Sequence, residues 1–240
     1  MHELRPDRGS ITDYGSQLIE IGGKILHGDM TGALWWPSER ALIVADLHLE
    51  KASFLAMRGQ PLPPYDTRET LQRVALVLDR YEPELVVALG DSLHDRGALD
   101  RIGEDERRIL TILQEARRWV WITGNHDGGT AAALGGEVRD QMTIAGLKLR
   151  HEPRPGPVTH EIAGHLHPAA RLSMYGHAIR RPCFVGNGLR LVLPAFGTFT
   201  GGLNVLDEAF TGLFRNDGMS VWMLGQEGVY PVATRHLKED

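Results

Sequence analysis

The sequence contains one cysteine, Cys183, among its 240 residues. No internal disulfide can therefore form, which is typical of proteins that fold in a reducing compartment. The neighbours of Cys183 in the segment RRPCFVGN include several apolar residues. We therefore predict that Cys183 is a small buried apolar residue and not a nucleophile.

Long apolar runs are also absent from the sequence. No segment approaches the roughly 18 consecutive apolar residues that cross a bilayer, so we expect no membrane association. The first ten residues, MHELRPDRGS, are too polar to form the core of a signal peptide. Taken with the lone cysteine, these features predict a cytoplasmic protein.

The chain has no excess of positive charge. Its 26 lysines and arginines face 31 acidic residues, which gives a formal net charge of −5 at pH 7. This balance argues against a protein whose whole surface binds nucleic acid through a basic field. A local basic groove stays open as an alternative, so charge alone does not identify the partner.

Buried strands alternate with helical patterns after residue 40. The segments ALIVAD, ELVVALGD and RWVWITGN are short continuous apolar runs, as expected of strands covered on both faces. The intervening segments DTRETLQRVALVLDRY and GEDERRILTILQEARR carry apolar residues at helical spacing. In the first, Asp66 and Glu69 resemble a capping box. In the second, arginines occupy the last turn, which suits the helix dipole.

Further strands are predicted on both sides of this region. We predict antiparallel strands that turn at Gly22 and Gly23 in the segment QLIEIGGKILHGDMTGALWW. Later strand-like runs are GLKLRH, HEIAGH, RLVLPAFG and GVYPVA. No repeat, low-complexity tract or long linker divides the chain. We therefore expect one α/β domain over residues 1–240, with two packed sheets and at least partly parallel strands.

Residues able to bind metal lie at or just past the carboxyl ends of five predicted strands. In open α/β sheets this edge is where ligands bind, so we expect these side chains to meet in one place. Each motif alone is often an ordinary turn, but five of them in order favour a metal site. The residues concerned are Asp46, His48, Asp91, Asn125, His126, His151, His165 and His167.

The side-chain types indicate which metals and which reaction. Asp-x-His and His-x-His each place two ligands on one side of an extended segment. A nitrogen and oxygen set without thiolate suits Mn, Fe, Zn, Ni or Co better than Ca. Two divalent ions held by Asp46 and Asp91 leave a positive centre that attracts a phosphate ester. The pattern therefore predicts two-metal hydrolysis of a phosphoester.

These motifs resemble those of the calcineurin-like metallophosphoesterases. The ordered blocks of that family stand here as DLH, GD, GNHD, HE and GHLH, over residues 46–167. The resemblance implies an α/β fold, a four-layer αββα sandwich of two mixed β-sheets flanked by helices. It also implies that one metal is held by Asp46, His48, Asp91 and His167, and the other by Asp91, Asn125, His151 and His165.

The resemblance assigns the remaining site residues as well. His126 would stand beside the leaving-group oxygen as the catalytic residue. In the Ser/Thr phosphatase branch an Asp three residues after the bridging Asp supports that histidine, but here His94 has this offset and Asp95 follows it. The supporting partner of His126 is therefore open, and His94 is either a substrate-binding residue or an ordinary surface histidine. Independently of the resemblance, a nuclease needs basic side chains beside the metals; of Arg58, Arg96, Arg150 and Arg154, we take Arg58 and Arg150 as the further candidates for substrate binding.

Two flanking segments carry a narrower resemblance. EKASFLAMRGQPLPPYDTRETL and LPAFGTFTGGLNVLDEAF are similar to segments of the bacterial ligase-associated DNA damage response endonucleases. This implies a phosphodiesterase or endonuclease that favours Mn²⁺ and acts on DNA or another phosphodiester in DNA repair. It further implies an ATP-dependent DNA ligase and a helicase or exonuclease as partners.

Two other function classes remain as alternatives. One is a phosphoesterase for a small nucleotide, a cyclic nucleotide or a nucleotide–lipid pyrophosphate. The other is a non-catalytic scaffold, like the retromer subunit of this fold, which predicts eroded metal ligands. None of the ligands is eroded in this sequence.

Overall fold

The computed structural model describes residues 15–240, except residues 61, 128–129, 159, 175–176 and 215–217. The first of its two sheets has seven strands whose spatial order follows the chain. Strands β1 to β4 pair antiparallel and β4 to β7 pair parallel, which confirms the predicted partly parallel sheet. The strands are β1 (Gln17–Ile21), β2 (Lys24–Gly28), β3 (Leu34–Trp36), β4 (Ala41–Val44), β5 (Leu85–Leu89), β6 (Arg118–Ile122) and β7 (Glu137–Arg139).

Helices connect the parallel strands of this sheet. They are α1 (Lys51–Met57) and α2 (Asp66–Tyr81) between β4 and β5, and α3 (Ala98–Arg101) and α4 (Glu104–Gln114) between β5 and β6. Side chains alternate along β4, so that Leu42 and Val44 pack against the helices while Ile43 faces the second sheet. Short 3-10 helices also occur at Pro37–Glu39 and Thr130–Leu134.

The ends of two helices differ from the sequence prediction. The N-cap of α2 is Tyr65, and Asp66 lies inside the helix, where its Oδ2 accepts a hydrogen bond from the Ala52 amide at 2.9 Å. The predicted capping box is therefore wrong, because the Asp66 side chain forms a hydrogen bond that links α2 to α1. Helix α4 ends at Gln114 without a basic last turn, since Arg118 pairs with Leu85 as the first residue of β6.

Among the described residues, the second sheet has nine strands. Its spatial order is β14-β11-β12-β13-β10-β9-β8, with β15 paired to β12 and β16 paired to β15. Strands β9, β10 and β13 are parallel neighbours, and most other pairs are antiparallel. The strands are β8 (Gln141–Ile144), β9 (Leu147–Arg150), β10 (Glu161–Ala163), β11 (Pro168–Met174), β12 (His177–Gly186), β13 (Arg190–Val192), β14 (Leu203–Asn204), β15 (Ser220–Leu224) and β16 (Val229–Val232).

The two mixed sheets pack face to face around an apolar layer, with helices outside, which confirms the α/β sandwich predicted from the resemblance. Phe210, of the 3-10 helix Glu208–Phe210, and Leu237, which follows the 3-10 helix Thr234–His236, pack against the outer face of the second sheet. Cys183 lies in this outer core with no exposed surface, so its prediction as a buried apolar residue is confirmed. Among the described residues, no helix has both the length and the hydropathy that a membrane span requires.

Candidate metal centre

Loops from both sheets converge at one edge of the sandwich. The first sheet contributes the loops that follow β4, β5 and β6, and the second sheet contributes those that follow β9 and β10. Hydrogen bonds join these loops directly: the His48 amide donates to the Asp91 carbonyl at 2.9 Å, and the His165 amide donates to Asp46 Oδ2 at 2.9 Å. Side chains that are far apart in the sequence therefore meet at this edge.

The predicted ligands form two adjacent groups. Within each group the ligand atoms lie within 4.8 Å of one another, so each group could hold one ion. Asn125 joins the second group, because its Oδ1 lies 2.8 Å from His151 Nε2. The first group consists of Asp46, His48 and His167, and the second of Asp91, His151 and His165.

The spacing of ring nitrogens fits bound divalent ions. His48 Nε2 lies 3.2 Å from His167 Nε2, and His165 Nδ1 lies 3.1 Å from His151 Nε2. Two imidazole nitrogens that share an ion at about 2.1 Å stand about 3.0–3.4 Å apart. Asp46 Oδ1 is buried, has no hydrogen-bond partner among the described residues and lies 3.5 Å from His167 Nε2. A buried carboxylate oxygen in this state is costly unless a cation satisfies it.

Main-chain carbonyls orient two of the imidazoles. His151 Nδ1 donates to the Leu89 carbonyl at 2.9 Å, and His167 Nδ1 lies 3.3 Å from the Gly201 carbonyl. Because a carbonyl oxygen only accepts, Nδ1 carries the hydrogen in both rings. When the ring is neutral, Nε2 therefore has the lone pair that a metal needs.

The buried side chain of Asp127 holds two loops of the site, a role that was not identified from the sequence. It is fully buried, and its two carboxylate oxygens accept hydrogen bonds from the Ser92 amide at 3.1 Å and the Gly124 amide at 3.0 Å. These bonds fix the loop that carries Asn125 and His126. The only sequence signal was its place as the last residue of the GNHD motif.

The backbone at the site is strained. Five candidate ligands have left-handed φ angles: Asp46 (54°), His48 (45°), Asp91 (45°), His165 (72°) and His167 (45°). Such conformations cost about 1–3 kcal/mol each and concentrate at functional sites.

Glycine is required at two points where the ligand loops approach one another. A Cβ atom at Gly124 would lie 2.2 Å from the Asp91 nitrogen, and one at Gly164 would lie 2.7 Å from Asp46 Oδ2. Side chains at these two positions would therefore push the ligand loops apart.

The charges of the site favour metal binding. Burial, together with the charge of His167, lowers the pKa of His48 to about 2, so this ring is neutral. Burial alone would raise the pKa of Asp91, but the hydrogen bond from His151 and the charge of that ring outweigh it and lower the pKa to about 2. Burial likewise opposes a charge on His151, yet its contacts with Asp91 and Asp46 raise its pKa to about 9. The centre therefore contains an ionised Asp91 carboxylate and a protonated His151, whose proton a metal ion would displace.

His126 stands at the open side of the centre. Its side chain is exposed, with Nε2 3.9 Å from Asp91 Oδ2, and its amide donates to Asp91 Oδ1 at 2.9 Å. Its Nδ1 lies 3.0 Å from the main-chain oxygen of His94, and the two rings stack with centroids 5.6 Å apart. Asp95 forms an ion pair with Arg101. The partner of His126 that the sequence left open is therefore the carbonyl of His94.

The three candidate substrate-binding residues have different surroundings. His94 Nδ1 lies 3.3 Å from His48 Nδ1, so this ring borders the first group. Arg58 packs over the Phe54 ring at 4.4 Å, and Phe54 in turn contacts His94 with ring centroids 4.8 Å apart. Arg150 lines a pocket beside the second group. The structure thus places His94 and Arg150 next to the centre and Arg58 one side chain further away.

Two adjacent metal-competent groups at the edge of two mixed sheets define a two-metal hydrolase site. The family model of the calcineurin-like phosphoesterases matches residues 39–177, more than half of the chain. The chain therefore belongs to the calcineurin-like phosphoesterases and is a metal-dependent phosphoesterase.

Solved structures of other proteins resemble the chain. Nuclease MPE from Pseudomonas putida shares 32% sequence identity with a TM-score of 0.69, over 90% of this chain and 100% of that one. Yfce, a phosphoesterase from E. coli, shares 16% identity with a TM-score of 0.40, over 80% of this chain and 98% of that one. No curated protein sequence matches the chain significantly. The likeness to a nuclease agrees with the narrower resemblance to the DNA damage response endonucleases.

Proposed function

We propose that the protein is a phosphodiesterase that cuts the nucleic-acid backbone internally, favours Mn²⁺ and acts in bacterial DNA repair. The observation that carries this proposal is the pair of metal-competent groups in a chain similar to a nuclease over 90% of its length. The family resemblance supports cytoplasmic action beside an ATP-dependent DNA ligase and a helicase or exonuclease.

Each ion has a defined set of ligands in this proposal. When bound, two divalent ions lower the pKa of water and neutralise the charge that develops on the phosphoryl oxygens. The imidazole, carboxylate and amide donors suit Mn²⁺. Asp46, His48, Asp91 and His167 would hold one ion, and Asp91, Asn125, His151 and His165 the other.

His126 assists the departing oxygen. Its Nδ1 is anchored on the His94 carbonyl, so Nε2 is the nitrogen left to face the substrate. A proton on Nε2 can pass to the leaving-group oxygen as the ester bond breaks. The imidazole of His94 and the guanidinium groups of Arg150 and Arg58 would bind phosphate oxygens along the substrate.

A substrate panel tests the proposal. Mn²⁺-loaded protein is given a chromogenic phosphodiester, a phosphomonoester, cyclic nucleotides, and covalently closed circles of single- and double-stranded DNA. A closed circle has no ends, so its cleavage requires internal cutting. We expect cleavage of a circle, and we expect His126→Ala to retain both ions while hydrolysis falls about 10²–10⁴-fold.

Two results would change the proposal. Turnover of small diesters or cyclic nucleotides with both circles intact would make the protein a small-nucleotide phosphoesterase. Unchanged turnover by His126→Ala, with its metal content preserved, would remove the catalytic role of His126.

A further inference from the structure

A pocket of about 500 Å³ opens beside the metal centre. Asn125 and His151, both of the second metal group, form part of its wall. The rest of the wall includes Asp140, Gln141 and residues 152–155, none of which belongs to the centre. His48, His126 and His167 do not line it. The pocket therefore adjoins one flank of the centre and offers space beyond that needed for the reacting phosphate.

We propose that this pocket binds a single nucleoside, the base and sugar attached to the phosphorus at the metal centre. The inference rests on the proposed function, because it assumes a nucleic-acid phosphodiester as the substrate. Small-molecule sites typically enclose about 300–1,000 Å³, and one nucleoside fits within the volume present here.

The charges around the pocket favour a neutral base over a second phosphate. Asp140 and Glu152 contribute two carboxylates, and Arg150 and Arg154 contribute two guanidinium groups. Arg150 Nη2 donates to Gln141 at 2.7 Å and its Nε lies 3.5 Å from Glu161 Oε1, and in the proposed function its guanidinium group serves the reacting phosphate. No net positive field is left for a second phosphate, whereas an uncharged base has no such need.

Hydrogen-bonding groups in the wall match the edge of a base. Asp140 Oδ1 accepts a hydrogen bond from Thr123 at 3.0 Å, and within the described part of the chain Oδ2 has no hydrogen-bond partner. Gln141 uses its oxygen to accept from Arg150, which leaves its NH₂ group to donate. An acceptor and a donor on consecutive residues complement the alternating donors and acceptors of a base. Pro153 and Pro155 add apolar surface for the base face.

A buried ion pair holds one wall of the pocket in place. Arg190 is fully buried and donates through Nε to Glu161 Oε2 at 2.7 Å and through Nη2 to the carbonyl of Arg154. The Glu161 carboxylate accepts the Arg154 amide at 3.3 Å. The amide and the carbonyl of Arg154 are thereby both held by buried side chains. A wall that is rigid before the ligand arrives lowers the entropy cost of binding.

The position of His126 decides which nucleoside the pocket takes. His126 serves the leaving oxygen in the proposed mechanism, and it stacks on His94 without lining the pocket. The pocket therefore receives the nucleoside that stays on the phosphorus after cleavage.

Esters with one shared leaving group test the inference. Mn²⁺-loaded protein is assayed with the p-nitrophenyl phosphodiesters of thymidine 5′-phosphate, thymidine 3′-phosphate and methyl phosphate, which differ only in the retained group. One or two neutral hydrogen bonds correspond to about a tenfold gain, so we expect kcat/KM for one thymidine ester to exceed that of the methyl ester about tenfold.

Two exposed glutamines provide matched variants. Gln141→Ala removes a hydrogen-bonding group of the pocket, so we expect the thymidine-to-methyl ratio to fall about threefold to tenfold. Gln226→Ala makes the same change at an exposed residue outside the pocket, and its ratio should equal that of the unaltered protein. Comparing ratios separates recognition of the retained group from any loss of metal or folded protein.

The outcome is distinct from that of the circular-DNA assay. If neither thymidine ester exceeds the methyl ester, or if Gln141→Ala leaves the ratio unchanged, the pocket does not bind a nucleoside, even when circular DNA is cut. If Gln141→Ala lowers the thymidine-to-methyl ratio of kcat/KM while circular DNA stays intact, the pocket binds a nucleoside but the protein is not a nuclease.

Discussion

The ring of His126 is held by the main-chain oxygen of His94, which lies 3.0 Å from its Nδ1. The neighbouring carboxylate of Asp95 is paired with Arg101, and in the described part of the chain it forms no hydrogen bond with this ring. A carbonyl oxygen orients an imidazole as a carboxylate does, but it carries no formal charge to stabilise the imidazolium. Within the described residues, the candidate catalytic histidine is therefore supported by a carbonyl oxygen and not by the acidic partner known from the Ser/Thr phosphatase branch.

Asp95→Asn should change hydrolysis little. Asp95 pairs with Arg101, and among the described residues no hydrogen bond or ion pair joins it to His126, so we expect kcat/KM for a chromogenic diester to stay within about threefold and its pH profile to keep its shape. Arg101→Gln, which removes the other member of the ion pair, is the matched control. A loss by Asp95→Asn alone, as large as that of His126→Ala, would show that the carboxylate does act on the catalytic ring.

Asp91→Asn should release both metal ions. Asp91 is the proposed bridge, and an amide in its place removes the negative charge while it can still accept the hydrogen bond from the His126 amide. We expect metal analysis after dialysis to find the ion content falling from two toward zero. Asp79→Asn, at an exposed position of α2, is the control and should keep both ions. Retention of both ions by Asp91→Asn would rule out the bridging assignment.

Metal binding should release a proton near neutral pH. The pKa of His151 in the metal-free protein is raised to about 9, so its ring is protonated at pH 7.5 and must become neutral to act as a ligand. Apparent affinity should therefore rise with pH by about tenfold per unit below pH 9. Calorimetric Mn²⁺ titrations in two buffers with different ionisation enthalpies measure the released proton directly. Equal heats in both buffers, with affinity independent of pH, would contradict a protonated His151.

Arg190→Leu should destabilise the fold strongly. The change removes the 2.7 Å partner of the buried Glu161, which keeps only the 3.5 Å contact with Arg150, and it removes the donor to the Leu213 carbonyl, which lies 2.6 Å from Nη1. Breaking a buried ion pair from one side typically costs about 3–5 kcal/mol, and we expect the free energy of unfolding in urea to fall by this amount. Arg118→Leu breaks an exposed pair with Glu137 and should lose far less, because water screens that pair. Equal losses in the two variants would show that burial of the Arg190 pair is not decisive.

Much of the architecture could be predicted from the sequence because it rests on local periodicity. The apolar runs that become β4, β5 and β6 are continuous since both faces of these strands are covered. The helical spacing over Asp66–Tyr81 predicted helix α2. Helix ends were less predictable: Asp66 bonds to Ala52 of another helix, and Arg118 is drawn into a strand by its pairing with β5. These partners are distant in the sequence and leave no local pattern.

The sequence by itself determined which residues come to the edge of the sandwich, because the carboxyl ends of parallel strands share that edge and each metal-competent residue follows such a strand. Only the tertiary structure decided how they group. Asp46 and His165 are 119 positions apart, yet the His165 amide hydrogen-bonds the Asp46 carboxylate. The structure alone also showed the carbonyl that supports His126 and the pocket that contains Gln141. Main-chain oxygens are common to all residues, and a pocket wall is assembled from separate loops, so neither has a signature that spacing along the chain could carry.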